Sequence, residues 1–251
     1  MTKIIMNGCN GHMGQVICKI VAEDPNAEIV AGVDIIDEGK NSFPVFKSIA
    51  ECDVEADAII DFSSPKALES VLDYTIAKNV PAVLCSTGLT EEQVEKIKDA
   101  STKVAILKSA NMSLGVNLLL KTLGEVAKKL SPAGFDIEIV EQHHNLKKDA
   151  PSGTALALAD CINEAMDNKF TYVYDRSKRS EKRPQDEIGI SAVRGGNIVG
   201  VHDVIFAGED EVLTFNHTAY SKAIFGKGAV EAAKFLKGKS AGWYDMQDVI
   251  G

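Results

Sequence analysis

Five short apolar runs in the first part of the chain, each followed by a segment of helical period, constrain its fold more than any other feature. KIIMN, AEIVAGVD, ADAIIDFS, PAVLCST and KVAILKS are mostly apolar along their whole length, which is the pattern of strands buried on both faces of a parallel sheet. Of the intervening helical segments, TEEQVEKIKDA is the best marked. Thr90 and Gln93 have capping-box spacing, and acidic residues fill the first turn. Repeated strand–helix units require right-handed crossovers, so a doubly wound α/β domain is expected here.

The pattern changes after about position 110. LGVNLLLKTLGEVAKKL reads as a long amphipathic helix, DIEIVEQHH as a strand and ALALADCINEAM as a helix. The segment EIGISAVRGGNIVGVHDVIFAGEDEVLTFNHTA reads as three β runs joined by hairpin turns at RGGN and GED. This is α+β organisation. GAVEAAKFLKG resembles the first half again, so the expected division is 1–110 completed by 219–251, with 111–218 as a second domain. The basic stretch RSKRSEKRP at 176–184 reads as a solvated loop.

A chain of 251 residues with 45% apolar and 25% charged residues is long enough to bury two cores. Its net charge of -9 disfavours sequence-independent nucleic-acid binding, which depends on neutralising phosphates. No stretch approaches the ~18 apolar residues of a membrane span, and the first apolar run is too short for a signal segment. A cytoplasmic location is therefore expected. The 5 cysteines (9, 18, 52, 85 and 161) are scattered, without a Cys-x-x-Cys pair, and read as free thiols rather than as disulfides or a zinc site.

IIMNGCNGHMG places Gly8, Gly11 and Gly14 between the first strand and a helix. Glycines there allow a tight turn and a close approach to a pyrophosphate, while the helix offers unpaired N–H groups. The spacing is G-x-x-G-x-x-G rather than G-x-G-x-x-G. Asp34, at the end of the second strand, stands where an acid holds ribose hydroxyls. It would repel a 2′-phosphate and Ile35 brings no cation, so the motif favours NADH over NADPH.

The second concentration of chemistry is EQHHNLKKDAPSGTA at 141–155. Neighbouring strand residues face opposite ways, so His143 and His144 should divide two roles, one as an acid and one touching ligand or scaffold. Imidazole titrates near neutrality and suits proton transfer. Lys147 and Lys148 favour an anionic substrate, and the Ser152–Gly153–Thr154 turn opens a helix whose amides, with the Ser152 and Thr154 hydroxyls, can receive a carboxylate or a phosphate. Metal binding is not expected, because no further His or Cys stands at ligand spacing.

GCNGHMG, SANMSLGVN at 109–117, EQHHNLKKDAPSGTA and the closing WYDMQDVIG together resemble the dihydrodipicolinate reductase family from end to end. The resemblance implies a Rossmann-like parallel-sheet nucleotide-binding domain, an α+β substrate domain with an open mixed sheet, and a homotetramer. It implies NAD(P)H-dependent reduction of 4-hydroxy-tetrahydrodipicolinate in lysine and diaminopimelate biosynthesis. His143 would be the proton donor and Lys147 the catalytic cation. His144, Ser152, Gly153 and Thr154 would contact the dicarboxylate substrate. Gly8, Cys9, Asn10, Gly11, His12 and Met13 would meet the pyrophosphate, Asp34 the adenosine ribose, and Cys85, Ser86, Thr87, Ser109, Ala110, Asn111 and Met112 the nicotinamide half. His12 and Ile35 stand where relatives often carry cations, Cys85 where a glycine is common, and Met112 where Phe is frequent.

Overall fold

The computed structural model describes residues 1–37 and 39–251. In chain order the elements are β1 (Thr2–Asn7), α1 (His12–Ala22), β2 (Ala27–Val33), β3 (Val45–Phe46), β4 (Ala58–Asp61), α2 (Leu68–Lys78), β5 (Ala82–Leu84), α3 (Glu91–Ser101) and β6 (Ala105–Lys108). Then follow α4 (Leu114–Leu130), β7 (Asp136–His143), α5 (Gly153–Ala165), β8 (Thr171–Val173), β9 (Glu187–Arg194), β10 (Gly200–Ala207) and β11 (Val212–Ala219). The chain closes with α6 (Ala223–Leu236), β12 (Gly242–Tyr244) and α7 (Met246–Ile250). It forms two compact units, Met1–Leu114 with Ala223–Gly251, and Gly115–Lys222. Each junction lies four residues beyond the 110/111 and 218/219 boundaries expected from sequence.

The first unit is built on a seven-stranded sheet ordered β12-β6-β5-β4-β1-β2-β3, parallel in every pairing. Its central strands are apolar on both faces. Ile4, Met6 and Ile60 pack under α1 and α6, while Ile5, Ile59 and Leu84 face the residues of α2 and α3. Strand order reverses at β1, with β2 on one side and β4 on the other. The C-terminal ends of β1 and β4 therefore flank the crevice where ligands bind in such sheets. The capping box of α3 is present: Thr90 accepts from Gln93 N–H, and Gln93 reaches back to Thr90 N–H.

The second unit carries a five-stranded mixed sheet ordered β11-β10-β7-β9-β8. The turn at GED joins a true hairpin, β10–β11. RGGN does not. β7 lies between β9 and β10, parallel to one and antiparallel to the other. Gly195 N–H bonds His143 C=O and Asn145 N–H bonds Gly196 C=O, so this turn carries the chain over the end of β7. Its glycines satisfy hairpin chemistry locally, but the pairing partner is chosen by distant packing.

The basic stretch at 176–184 is likewise not a simply solvated loop. Arg183 donates to Asp136, to Glu138 and to the carbonyls of Ile137 and Glu187. Arg176 and Arg179 both meet Glu187, which is nearly buried. The arginines hold this loop against the ends of β7 and β9. Carboxylates spaced along those strands supplied the partners that the basic run alone does not reveal.

Candidate active site

On β7, alternate residues share one face. Ile137 and Ile139 lie in the core under α4 and α5, and Glu141 and His143 continue the same buried face. Across the sheet, His202 of β10 stands opposite Glu141, and His217 of β11 stands opposite His202. The apolar core thus gives way to a row of titratable groups at one end of the sheet. His144 follows directly, one residue past the end of the strand.

Glu141 is fully buried and every polar contact it makes is a charged or amide donor. Its Oε2 lies 2.6 Å from His143 Nδ1, Arg194 grips both oxygens at 2.8 and 2.7 Å, and Ser152 N–H donates to Oε1 at 3.0 Å. Burial disfavours the charged carboxyl, but hydrogen bonds from Arg194, His143 and the Ser152 amide outweigh it and hold Glu141 below its ordinary range. An ionised carboxylate only accepts, so His143 Nδ1 carries the hydrogen and Nε2 is the nitrogen left to exchange a proton. Gly200 borders that nitrogen. A Cβ there would sit 3.1 Å from Nε2.

Ser152 is the N-cap of α5, its Oγ accepting from Ala155 N–H at 3.1 Å and pairing with His202 Nε2 at 3.0 Å. The His143 and His202 rings meet edge to face, 5.2 Å between centroids. Burial first, then the neighbouring His143, pushes His202 down to about 4, so it stays neutral near pH 7. Lys147, in the turn after β7, pairs with Asp149 at 2.8 Å, and Arg194 also donates to Asp149 C=O. Gly153 is exposed with open space above it, and Thr154 follows in the first turn of α5. His144 Nδ1 is buried with no partner among the described residues. Lys148 is exposed.

In the first unit the other expected residues gather at the C-terminal edge of the parallel sheet. Gly8 has φ 81° and a Cβ on it would meet Phe62 C=O at 2.9 Å, while one on Gly14 would meet Gly8 C=O at 2.1 Å. Only glycine allows both the turn and the close helix packing. Gly11 caps α1 without any side-chain bond, and no acidic residue sits in the first turn. The helix end is thus left for an anion to complete, so the loop fits a pyrophosphate. Asp34 Oδ2 receives Asn10 N–H at 2.9 Å, tying the end of β2 to this turn. Gly8, Gly11, Asp34, Ile35, Ser63 and Ser64 line a cleft of about 480 Å³.

Cys85–Thr87 follow β5 and Ser109–Met112 follow β6, farther along the same edge. The side chains of Cys9, Cys85 and Met112 are buried in the core, leaving only backbone at those positions to face a ligand. Burial also pushes the Cys9 thiol up to about 12. His12 and Met13 begin α1.

Five residues were missed by sequence reasoning: Glu141, Arg194, His202, Asp61 and Ser63. Glu141 had a signal, since i and i+2 on a strand share a face and it precedes His143 by two. Asp61, fully buried, receives Asn7 Nδ2 and Ser86 Oγ, each at 2.8 Å, and Ser63 N–H. It ties together the ends of β1, β4 and β5, and nothing local in ADAIIDFS marks that role.

Comparison with known proteins agrees over the whole chain. Residues 2–112 match the family profile described as dihydrodipicolinate reductase, N-terminus. Residues 115–250 match dihydrodipicolinate reductase, C-terminus. A 4-hydroxy-tetrahydrodipicolinate reductase of Caldanaerobacter subterraneus subsp. tengcongensis is 50% identical, covering 100% of this chain and 98% of the relative. One from Clostridium tetani is 48% identical, covering 100% and 97%. Among solved structures, a dipicolinate-bound dihydrodipicolinate reductase from Paenisporosarcina sp. TG-14 has a TM-score of 0.83 at 24% identity, covering 100% of both chains. That likeness bears on the fold.

Proposed function

The chain belongs to the dihydrodipicolinate reductase family and reduces 4-hydroxy-tetrahydrodipicolinate to tetrahydrodipicolinate with NAD(P)H, a step of lysine and diaminopimelate biosynthesis; on that premise we propose that His143 gives the proton and Lys147 the stabilising positive charge. The observation that carries this reading is the hydrogen bond from His143 Nδ1 to the buried Glu141. It leaves Nε2 as the exchanging nitrogen and fixes the orientation of the ring through a buried, ionised partner. When bound, the reduced nicotinamide supplies the hydride to C4 of the substrate ring, and the 4-hydroxyl departs as water with the proton from His143. Lys147 would stabilise developing negative charge and orient the dicarboxylate. His144, Gly153 and Thr154 would hold a substrate carboxylate at the start of α5, with Ser152 fixing that turn through its cap and its bond to His202.

For the dinucleotide, Gly8–Met13 would receive the pyrophosphate, Asp34 the adenosine ribose, and Cys85–Thr87 with Ser109–Met112 the nicotinamide half. The Asp34 carboxylate in the cleft and the apolar Ile35 beside it support NADH as the favoured cofactor over NADPH. A homotetramer assembled through the second unit is supported by Val193, Val212 and Leu213, exposed on its sheet.

The test is turnover by the purified chain with freshly prepared 4-hydroxy-tetrahydrodipicolinate and either NADH or NADPH, followed as loss of reduced-cofactor absorbance. The expected result is turnover with both and a higher kcat/KM for NADH. Equal rates for wild type and for both His143→Ala and Lys147→Ala would overturn the assignment of roles. Oxidation of aspartate in place of this reaction would overturn the substrate.

A further inference from the structure

We propose that Lys47 determines how well this chain accepts the 2′-phosphate of NADPH. The inference rests on the reading of the Asp34 cleft as the adenosine site. Val33 pairs with Phe46 between the parallel strands β2 and β3, and Asp34 N–H bonds Phe46 C=O at 3.0 Å. Lys47 therefore follows in register beside Asp34. The two residues leave their strand ends side by side, and both line the cleft that also contains Gly8 and Gly11. Among the described residues no hydrogen bond or ion pair engages the exposed Lys47 ammonium, while Asp34 is held by Asn10 N–H.

Motif reading weighs only Asp34 and its sequence neighbour, and finds an acid with no cation. The sheet supplies the cation from the adjacent strand end instead. An NADH ribose offers hydroxyls, to which an acid responds and an ammonium adds little. NADPH offers a dianion there, repelled by Asp34 and attracted by Lys47, with the Ser48 hydroxyl next in the chain as a further donor. Lys47 acts on the difference between the two cofactors, which is what specificity measures.

Steady-state kinetics on the full-length enzyme test this through the ratio of kcat/KM for NADH to kcat/KM for NADPH. In Lys47→Gln the ratio is expected to rise about tenfold, and in Lys47→Arg to stay within about twofold of wild type. Because the site is exposed, added salt should raise the NADPH KM more than the NADH KM in wild type, and equally in Lys47→Gln. An unchanged ratio in Lys47→Gln overturns the proposal, whether or not overall activity falls. Asp34→Asn separates the underlying reading. If it leaves the NADH KM unaltered, the cleft is not the adenosine site. If it raises that KM while Lys47→Gln leaves the ratio fixed, only the role of Lys47 fails.

Discussion

Glu141 Oε2 lies 2.6 Å from His143 Nδ1, and Glu141 is in turn clamped by both terminal nitrogens of Arg194. The carboxylate orients the ring, fixes which nitrogen bears hydrogen, and is itself kept ionised. Glu141→Gln removes the charge while keeping the shape. It is expected to lower kcat by ~10²-fold with a smaller change in KM, since an amide in that place no longer requires His143 Nδ1 to carry the hydrogen. Steady-state kinetics measured beside the melting temperature check this. A kcat that falls only as far as the folded fraction does would make Glu141 merely structural.

His143→Ala and Lys147→Ala are each expected to lose ~10²-fold or more in kcat. Their effects should differ in kind. Lys147→Ala should also raise KM for the anionic substrate, whereas His143→Ala should act mainly on kcat. Small amines or imidazole added to His143→Ala offer a direct check, because rescue identifies the missing group as a proton donor.

Gly200 leaves the approach to His143 Nε2 open. In Gly200→Ala the new methyl group would lie about 3.1 Å from that nitrogen, tighter than ordinary contact. The expected result is about a tenfold loss of kcat with a small change in melting temperature, since the crowding falls on the working nitrogen rather than on the core. A stable variant with wild-type kcat would show that Nε2 is approached from elsewhere.

Acid should weaken the second unit through His202. Buried first by its surroundings and repelled by His143, it titrates at about 4 rather than the ordinary 6.5. The unfolded chain therefore binds a proton that the folded chain refuses across this window. Its stabilising contribution is fully present above pH 6.5 and is lost as pH falls toward 4, amounting to about 3 kcal/mol or less. His217, also pushed down by burial, acts in the same direction. Melting temperatures between pH 7.5 and 4.5 should fall, and His202→Gln should flatten the part of that slope that His202 causes.

Much of this protein was legible in local pattern. The apolar runs located β1, β2, β4, β5 and β6, Thr90 and Gln93 marked the start of α3, and LGVNLLLKTLGEVAKKL gave α4 at 114–130. Glycines 8, 11 and 14 identified the turn, and the EQHHNLKKDAPSGTA segment identified the strand that ends at His143 and the turn from which α5 starts, where Ser152 is the cap. These are properties of hydrogen bonds, dihedral preferences and side-chain periods that act within a few residues. Tertiary structure alone decided that β7 separates β9 from β10, that Arg183 clamps Asp136 and Glu138, that Arg194 and His202 converge on the Glu141–Ser152 corner, and that Lys47 comes to lie beside Asp34. Those juxtapositions join residues far apart in the chain. They are selected by burial and strand pairing across the whole sheet, for which a local sequence carries no signature.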